Sequence, residues 1–134
     1  MSLDITPLDK AVARLREGLR RYELDRTDEQ IRDGLIQRFE FTYEISHKML
    51  KRYLKETAAS SELIEQMPFQ DLIRTGAEQG LLRSGWPEWR RFREMRARTS
   101  HAYNLEIALE VVAAIPDFLE ESAYLRKELE RRLA

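Results

Sequence analysis

The stretch REMRARTSHAYN, residues 93–104, gathers Arg93, Arg96 and Arg98 beside His101, one of two histidines in the chain. A guanidinium forks onto phosphate oxygens through paired N–H donors. An imidazole is the side chain whose ordinary pKa lies near neutrality, which suits it to moving a proton. Those residue types fit a phosphate-bearing ligand, with Arg96 as a cation for its oxygens and His101 as a group able to carry a proton. Tyr103 adds a phenol two residues further on, and Arg93 and Arg98 supply further phosphate contacts.

Arg96 is singled out by the helix that carries it. In the run from about Pro87, Trp89 and Phe92 define an inner face, while Arg90, Arg91 and Arg98 project outward. Arg96 falls within about 40° of both aromatics, on the side that should be covered. A covered guanidinium needs an anionic partner or water. Two readings stand open: Glu40 or Glu44 of another helix neutralises it, or it lines a cleft and receives a phosphate. In an unbroken helix His101 would sit about 140° away from Arg96. The two converge only if the helix ends near Thr99–Ser100, where two hydroxyl residues can cap or bend the chain. His47 falls at a polar edge and is assigned no role.

The elements that must position these groups are helical. Leu8, Val12, Leu15, Leu19 and Tyr22 recur at steps of four and three, marking an amphipathic first helix. Thr27 with Gln30 predicts the start of a second helix that runs unbroken to about Lys55. On it Phe41, Ile45, Met49 and Tyr53 form one stripe, and Ile31, Leu35, Phe39, Tyr43, Leu50 and Leu54 form an adjoining one. Together they span an arc of about 200°, wider than one core requires. Phe41, Ile45, Met49 and Tyr53 are therefore expected at an interface with a second copy; the alternative is that the domain's own helices wrap the whole arc.

The segment KETAASSELIEQMP reads as a loop, closed by Pro68 before a third helix that ends at Gly80. A last helical stretch, about Asn104 to Arg132, carries Tyr103, Ile107, Val111, Phe118, Leu125 and Leu129 on one side. Pro116 predicts a kink in it or two abutting helices.

The chain has 134 residues and reads as one domain, 1–134. Five glycines and four prolines against 43% hydrophobic and 35% charged residues point to an all-α antiparallel bundle of four to five helices. The absence of cysteine excludes a disulfide framework and thiolate chemistry. Two histidines make a His-rich metal site unexpected, so no metal and no cofactor is expected. Without a long apolar run or a signal-like N-terminus, a cytoplasmic location is expected. The net charge of −1 hides an asymmetry. Residues 83–98 hold six arginines against Glu88 and Glu94, and residues 104–130 hold seven acids against two basic residues. A basic patch on a near-neutral body suits a localised phosphate ligand better than a coat of DNA.

Arg96-x4-His101-x-Tyr103 resembles the motif of the HEPN superfamily. IRDGLIQRFEFTYEISHKMLKRYLKE, residues 31–56, is similar to the long helix of one family within it, the nucleotidyltransferase substrate-binding (HepT-type) proteins. AEQGLL and TSHAYN match that family too. The resemblance covers about residues 8–130. It implies a homodimeric helical bundle whose two motifs face a shared cleft, paired with a minimal nucleotidyltransferase as a toxin–antitoxin module. It implies a metal-independent endoribonuclease with Arg96 and His101 as the catalytic pair, RNA or nucleotide as the ligand, and Tyr103 as the site the partner adenylylates. A second role within the same family is a non-catalytic substrate-binding partner of the nucleotidyltransferase. One position departs from the pattern: where the family typically has asparagine after the motif arginine, this chain has Ala97.

Overall fold

A computed structural model describes residues 3–134. Among them are six α-helices and no strand: α1 (Thr6–Leu24), α2 (Glu29–Thr57), α3 (Ser61–Glu65), α4 (Phe69–Glu78), α5 (Trp86–Arg98) and α6 (Leu105–Leu133). A single 3-10 turn, Thr99–His101, joins α5 to the α6 side. A short connection folds α2 back along α1, and α6 packs against both; α5 closes the bundle against α6 and α2. The all-α bundle expected from the composition is what forms.

Each helix has a local cause. α2 begins at Asp28, whose Oδ1 accepts the Ile31 amide at 3.1 Å. The expected cap, Thr27, instead donates its hydroxyl to Asp25 Oδ1 at 2.6 Å, so the start moves by one residue. α4 ends at Gly80, with φ at 74°. The Leu81 amide donates to the Gly76 carbonyl at 2.9 Å and the Gly80 amide to Ala77 at 3.0 Å, a paired closure that needs a left-handed residue. Gly76 sits in tight space, where a Cβ would meet Leu50 Cδ1 at 3.0 Å and Leu82 Cδ1 at 3.1 Å.

Three expectations are corrected. The segment after α2 is not all loop: Ser60 accepts the Leu63 amide at 3.3 Å, and the single turn α3 buries Ile64. Of the two alternatives at Pro116, abutting helices do not form, because the last helix is continuous across it. Ile115 and Phe118, both fully buried, anchor the chain on either side, and the proline ring sits on the exposed face. Finally, Met49 and Tyr53 belong to the protomer's own core, at 3% and 9% exposure. Of the stripe expected to meet a second copy, only Phe41, 57% exposed, and the half-buried Ile45 remain at the surface.

The core that aims α5 is aromatic. Phe118 of α6 lies edge-on to Phe39 at 5.2 Å, Trp89 at 5.8 Å and Phe92 at 5.1 Å, with Tyr43 at 5.9 Å. Such pairs add about 0.5–1.5 kcal/mol each beyond area burial. They fix the inner face of α5 and so fix where its arginines emerge. Burial pushes the Tyr43 phenol up to about 12, so it remains protonated and acts in packing. Among the described residues no helix is long and apolar enough to cross a membrane.

Candidate functional site

The site forms where α5 stops. The helix ends at Arg98, and the chain turns through Thr99–His101 before Asn104 opens α6 by accepting the Ile107 amide at 3.3 Å. Two hydroxyls shape the break: Thr99 Oγ1 donates to the Arg96 carbonyl at 2.7 Å and Ser100 Oγ to Ala97 at 3.2 Å. The bend expected at Thr99–Ser100 is therefore present.

Arg96 points from α5 to α2. Its Nε donates to Glu44 Oε1 at 3.1 Å and its Nη2 lies 3.0 Å from the same oxygen. Its Nη1 donates to Thr99 Oγ1 at 3.2 Å and lies 3.5 Å from Glu40 Oε2. The guanidinium is thus oriented by two carboxylates and a hydroxyl while its side chain stays 31% exposed. The pairing with Glu40 and Glu44 offered as one reading is what forms, and the side chain keeps an opening to solvent. Glu40 and Glu44 lie one turn apart on α2, on the arc between the core and the exposed Phe41.

His101 and Tyr103 lie on the exposed side of the break. Tyr103 is 88% exposed, which removes it from the hydrophobic stripe expected of α6. The two rings stand edge-on, 6.2 Å between centroids. Among the described residues no hydrogen bond joins Arg96 to His101. A shallow depression of about 280 Å3 adjoins them, lined by Asp33, Ile36, Glu40, Thr99, Ala102 and Tyr103. Arg96 and His101 do not line it; Glu40 and Thr99, which do, are partners of Arg96, so an anion that reaches the guanidinium must displace a glutamate from it.

The remaining arginines divide. Arg98 reaches back to Glu110 of α6 at 3.2 Å, and Arg91 to Asp117 at 3.0 Å. Arg93 is exposed and lies over the Phe69 ring, 5.3 Å from its centroid. Ala97 is exposed and brings no polar side chain to the site. Among the described residues no cluster of three or more His, Asp or Glu is placed to hold a metal ion.

Glu121 is a charged residue that the sequence did not single out. It is 1% exposed, and its Oε2 accepts the amides of Arg83 at 2.7 Å and Ser84 at 3.4 Å. It ties down the turn that launches α5. Burial pushes its carboxyl above the ordinary range, against the hydrogen bonds from Ser84 and Arg83. The sequence did carry a signal: Glu121 falls about 40° from Leu125 and about 60° from Phe118, on the inner face of α6. A larger depression of about 370 Å3 lies nearby, lined by Arg83, Ser84, Glu88, Arg91, Phe92 and Asp117. Its two arginines already pair with Glu120 and Asp117.

Comparison with known proteins identifies the fold and the family. A curated Haemophilus influenzae protein, "Probable ribonuclease HepT", is 42% identical over 99 residues, covering 74% of this chain and 67% of that protein. A solved Haemophilus influenzae structure, described as having the fold of a substrate binding domain of a nucleotidyltransferase, superposes with a TM-score of 0.89 at 34% identity. It covers 95% of this chain and 99% of that one. A crystal structure from Thermus thermophilus superposes with a TM-score of 0.73 at 32% identity, covering 91% and 98%. The model of the family described as "Nucleotidyltransferase substrate binding protein like" matches residues 3–131. On that match, spanning nearly all of the sequence, the chain belongs to the nucleotidyltransferase substrate-binding protein family.

Proposed function

We propose that the protein is the HEPN subunit of a two-component toxin–antitoxin system, working in the cytoplasm beside a minimal nucleotidyltransferase. It binds RNA or a nucleotide at the Arg96/His101 cleft and acts as a metal-independent endoribonuclease. The observation that carries this function is the oriented guanidinium of Arg96: 31% exposed, and one short turn before an exposed His101 and Tyr103. A purely structural ion pair does not require the neighbouring turn to present an imidazole and a phenol to solvent.

The chemistry needs no metal. An imidazole removes the 2′-OH proton, the 2′ oxygen attacks the adjacent phosphorus, and the P–O5′ bond breaks. The leaving oxygen takes a proton from an imidazolium, and a cyclic phosphate remains on the other fragment. Arg96 stabilises the charge on the pentacoordinate phosphorus, having exchanged Glu44 or Glu40 for phosphate oxygens. One histidine per chain supplies base or acid, and two copies supply both. The exposed Phe41 and the half-buried Ile45 are the apolar surface on which a second copy would seat.

The test is cleavage of RNA in the presence of a metal chelator by wild type, His101→Ala and Arg96→Ala. Both variants are expected to lose cleavage while keeping the wild-type melting temperature to within a few degrees. Unchanged cleavage in both would falsify the ribonuclease role.

A second role is favoured by one observation, the apolar Ala97 beside Arg96: a non-catalytic subunit that presents substrate to the nucleotidyltransferase. Incubation with that enzyme and ATP, followed by peptide mapping, separates the two. AMP on the exposed Tyr103 hydroxyl marks a regulated toxin, and an unmodified tyrosine marks a scaffold.

A further inference from the structure

Arg93 lies three residues before Arg96, about 4.5 Å back along the axis and about 60° around it. Every other arginine of α5 has a carboxylate partner: Arg90 with Glu94, Arg91 with Asp117, Arg96 with Glu40 and Glu44, and Arg98 with Glu110. Among the described residues Arg93 has none within 4.0 Å. Its guanidinium instead lies over the Phe69 ring. Two further rings meet the same phenylalanine edge-on, His47 at 4.8 Å and Trp86 at 6.0 Å. All three rings are half-buried, so each keeps an open edge or face at the junction of α2, α4 and α5.

Basic groups prevail here, with Glu44 as the opposing acid. Burial, then the Lys51 ammonium, and also Arg93, push the His47 imidazole below its ordinary range, so it is neutral near pH 7. Lys51 is itself loosely paired with Glu65, at 3.6 Å. Packing accounts for the buried edges of Phe69 and Trp86. It does not account for a surface guanidinium left without an anion above an aromatic platform. The Tyr43 ring lies 6.3 Å from Phe69, and Glu44, the next residue, holds Arg96 at 3.0 Å, so the platform and the Arg96 corner adjoin.

We infer that Arg93, Phe69, Trp86 and His47 form a nucleotide subsite for single-stranded RNA, holding a nucleotide next to the one whose phosphate meets Arg96. This rests on the assignment of RNA to the Arg96/His101 cleft. The guanidinium edge takes a phosphate, and the unstacked base lies on the guanidinium plane or on Trp86, the mode by which proteins hold unpaired bases. Duplex RNA keeps its bases stacked and has no use for the rings. An acidic peptide would use Arg93 and Lys51 but not the indole.

The experiment measures binding of a fluorescent single-stranded oligoribonucleotide to full-length protein in a non-cleaving His101→Ala background. Adding Trp86→Leu, which keeps an apolar contact but removes the π face, is expected to raise Kd about 5- to 150-fold. Adding Arg93→Gln, a surface change that spares the fold, is expected to weaken binding and to lower the log–log salt slope by about 0.7. Arg90→Gln removes the same charge from the same helix and is expected to matter less. If Arg93→Gln and Trp86→Leu leave Kd unchanged while Arg96→Ala abolishes binding, the subsite is wrong and the cleft stands. If the first two weaken binding while Arg96→Ala does not, the subsite stands and the cleft is wrong. If polyglutamate competes with RNA and depends on Arg93 but not on Trp86, the surface is a docking site for an acidic protein and the RNA inference fails.

Discussion

Arg93 and Arg96 share one helix and meet opposite surroundings. Arg96 is held by Glu44 at 3.0 Å and Glu40 at 3.5 Å beside a depression rich in carboxylates. Among the described residues Arg93 has no carboxylate within 4.0 Å and rests on Phe69. The first corner is preorganised and electrostatically satisfied; the second is unsatisfied and aromatic. Preorganised donors suit transition-state stabilisation, because their orientation is fixed before charge develops. A free cation over rings suits ground-state binding of a flexible strand. On the proposed function, the first is the corner for chemistry and the second the corner for grip.

That separation can be broken at several points. Arg96→Ala should show the largest effect, lowering RNA cleavage about 100-fold or more. Its exposed ion pairs contribute only about 0.2–1 kcal/mol each to folding, so the melting temperature should move little. A collapse of stability alongside activity would make Arg96 a structural ion pair. Next in size is Phe41→Glu, which places a charge on the apolar surface flanking the Arg96 corner. Light scattering should then report a dimer dissociation constant raised about tenfold or more, with cleavage lost in proportion. A wild-type protein that is already a monomer at working concentration would remove the shared cleft.

Glu44→Gln should have a smaller effect of opposite sign. With one carboxylate neutralised, phosphate competes less for Arg96, and RNA affinity should rise about two- to fivefold. A fall in affinity would mean that Glu44 serves to aim the guanidinium rather than to occupy it. Smallest is the effect of Glu121, which fixes the turn before Trp86 and hence the approach to the Arg93 corner. Its carboxyl titrates above its ordinary value in the folded protein. The native state therefore binds more protons than the unfolded one, and this group's contribution to stability is greatest below about pH 4.5 and declines as pH rises through the raised native value. Glu121→Gln should lack that decline, so melting curves of the two proteins across the acid range should differ in slope.

How much of this was visible in the residues depends on the range of the interactions. The period of Leu8, Val12 and Leu15, the closure at Gly80 and the break at Thr99–Ser100 are local, and local rules find them. The stripe of Phe41, Ile45, Met49 and Tyr53 was a correct angle with an incomplete cover: the bundle's own helices bury Met49 and Tyr53 and leave Phe41. A helical wheel gives direction but not what lies opposite. The same limit hid α3, where the burial of Ile64 and a Ser60 cap outweigh weak propensity. It also left His47 without a role, since its ring meets Phe69 of α4, over which Arg93 of α5 lies, and that junction joins three helices. Arg96 was legible because an arginine on an apolar face is an anomaly in one helix alone. Arg93 was legible only as a phosphate contact alongside Arg98; what sets the two apart, a guanidinium with no carboxylate within 4.0 Å, emerges only once every neighbouring acid has been placed.

Side-chain NMR of the arginine Nε–H groups, in non-cleaving His101→Ala protein titrated with single-stranded RNA, bears most directly on the two corners. At saturation the Arg96 and Arg93 signals should shift, as the first leaves Glu44 for phosphate and the second gains an anion, while those of Arg90 and Arg98 stay close to their free positions. An Arg96 signal that does not move when the protein is fully bound would show that its carboxylates never release it, and would contradict its role as the phosphate-binding group.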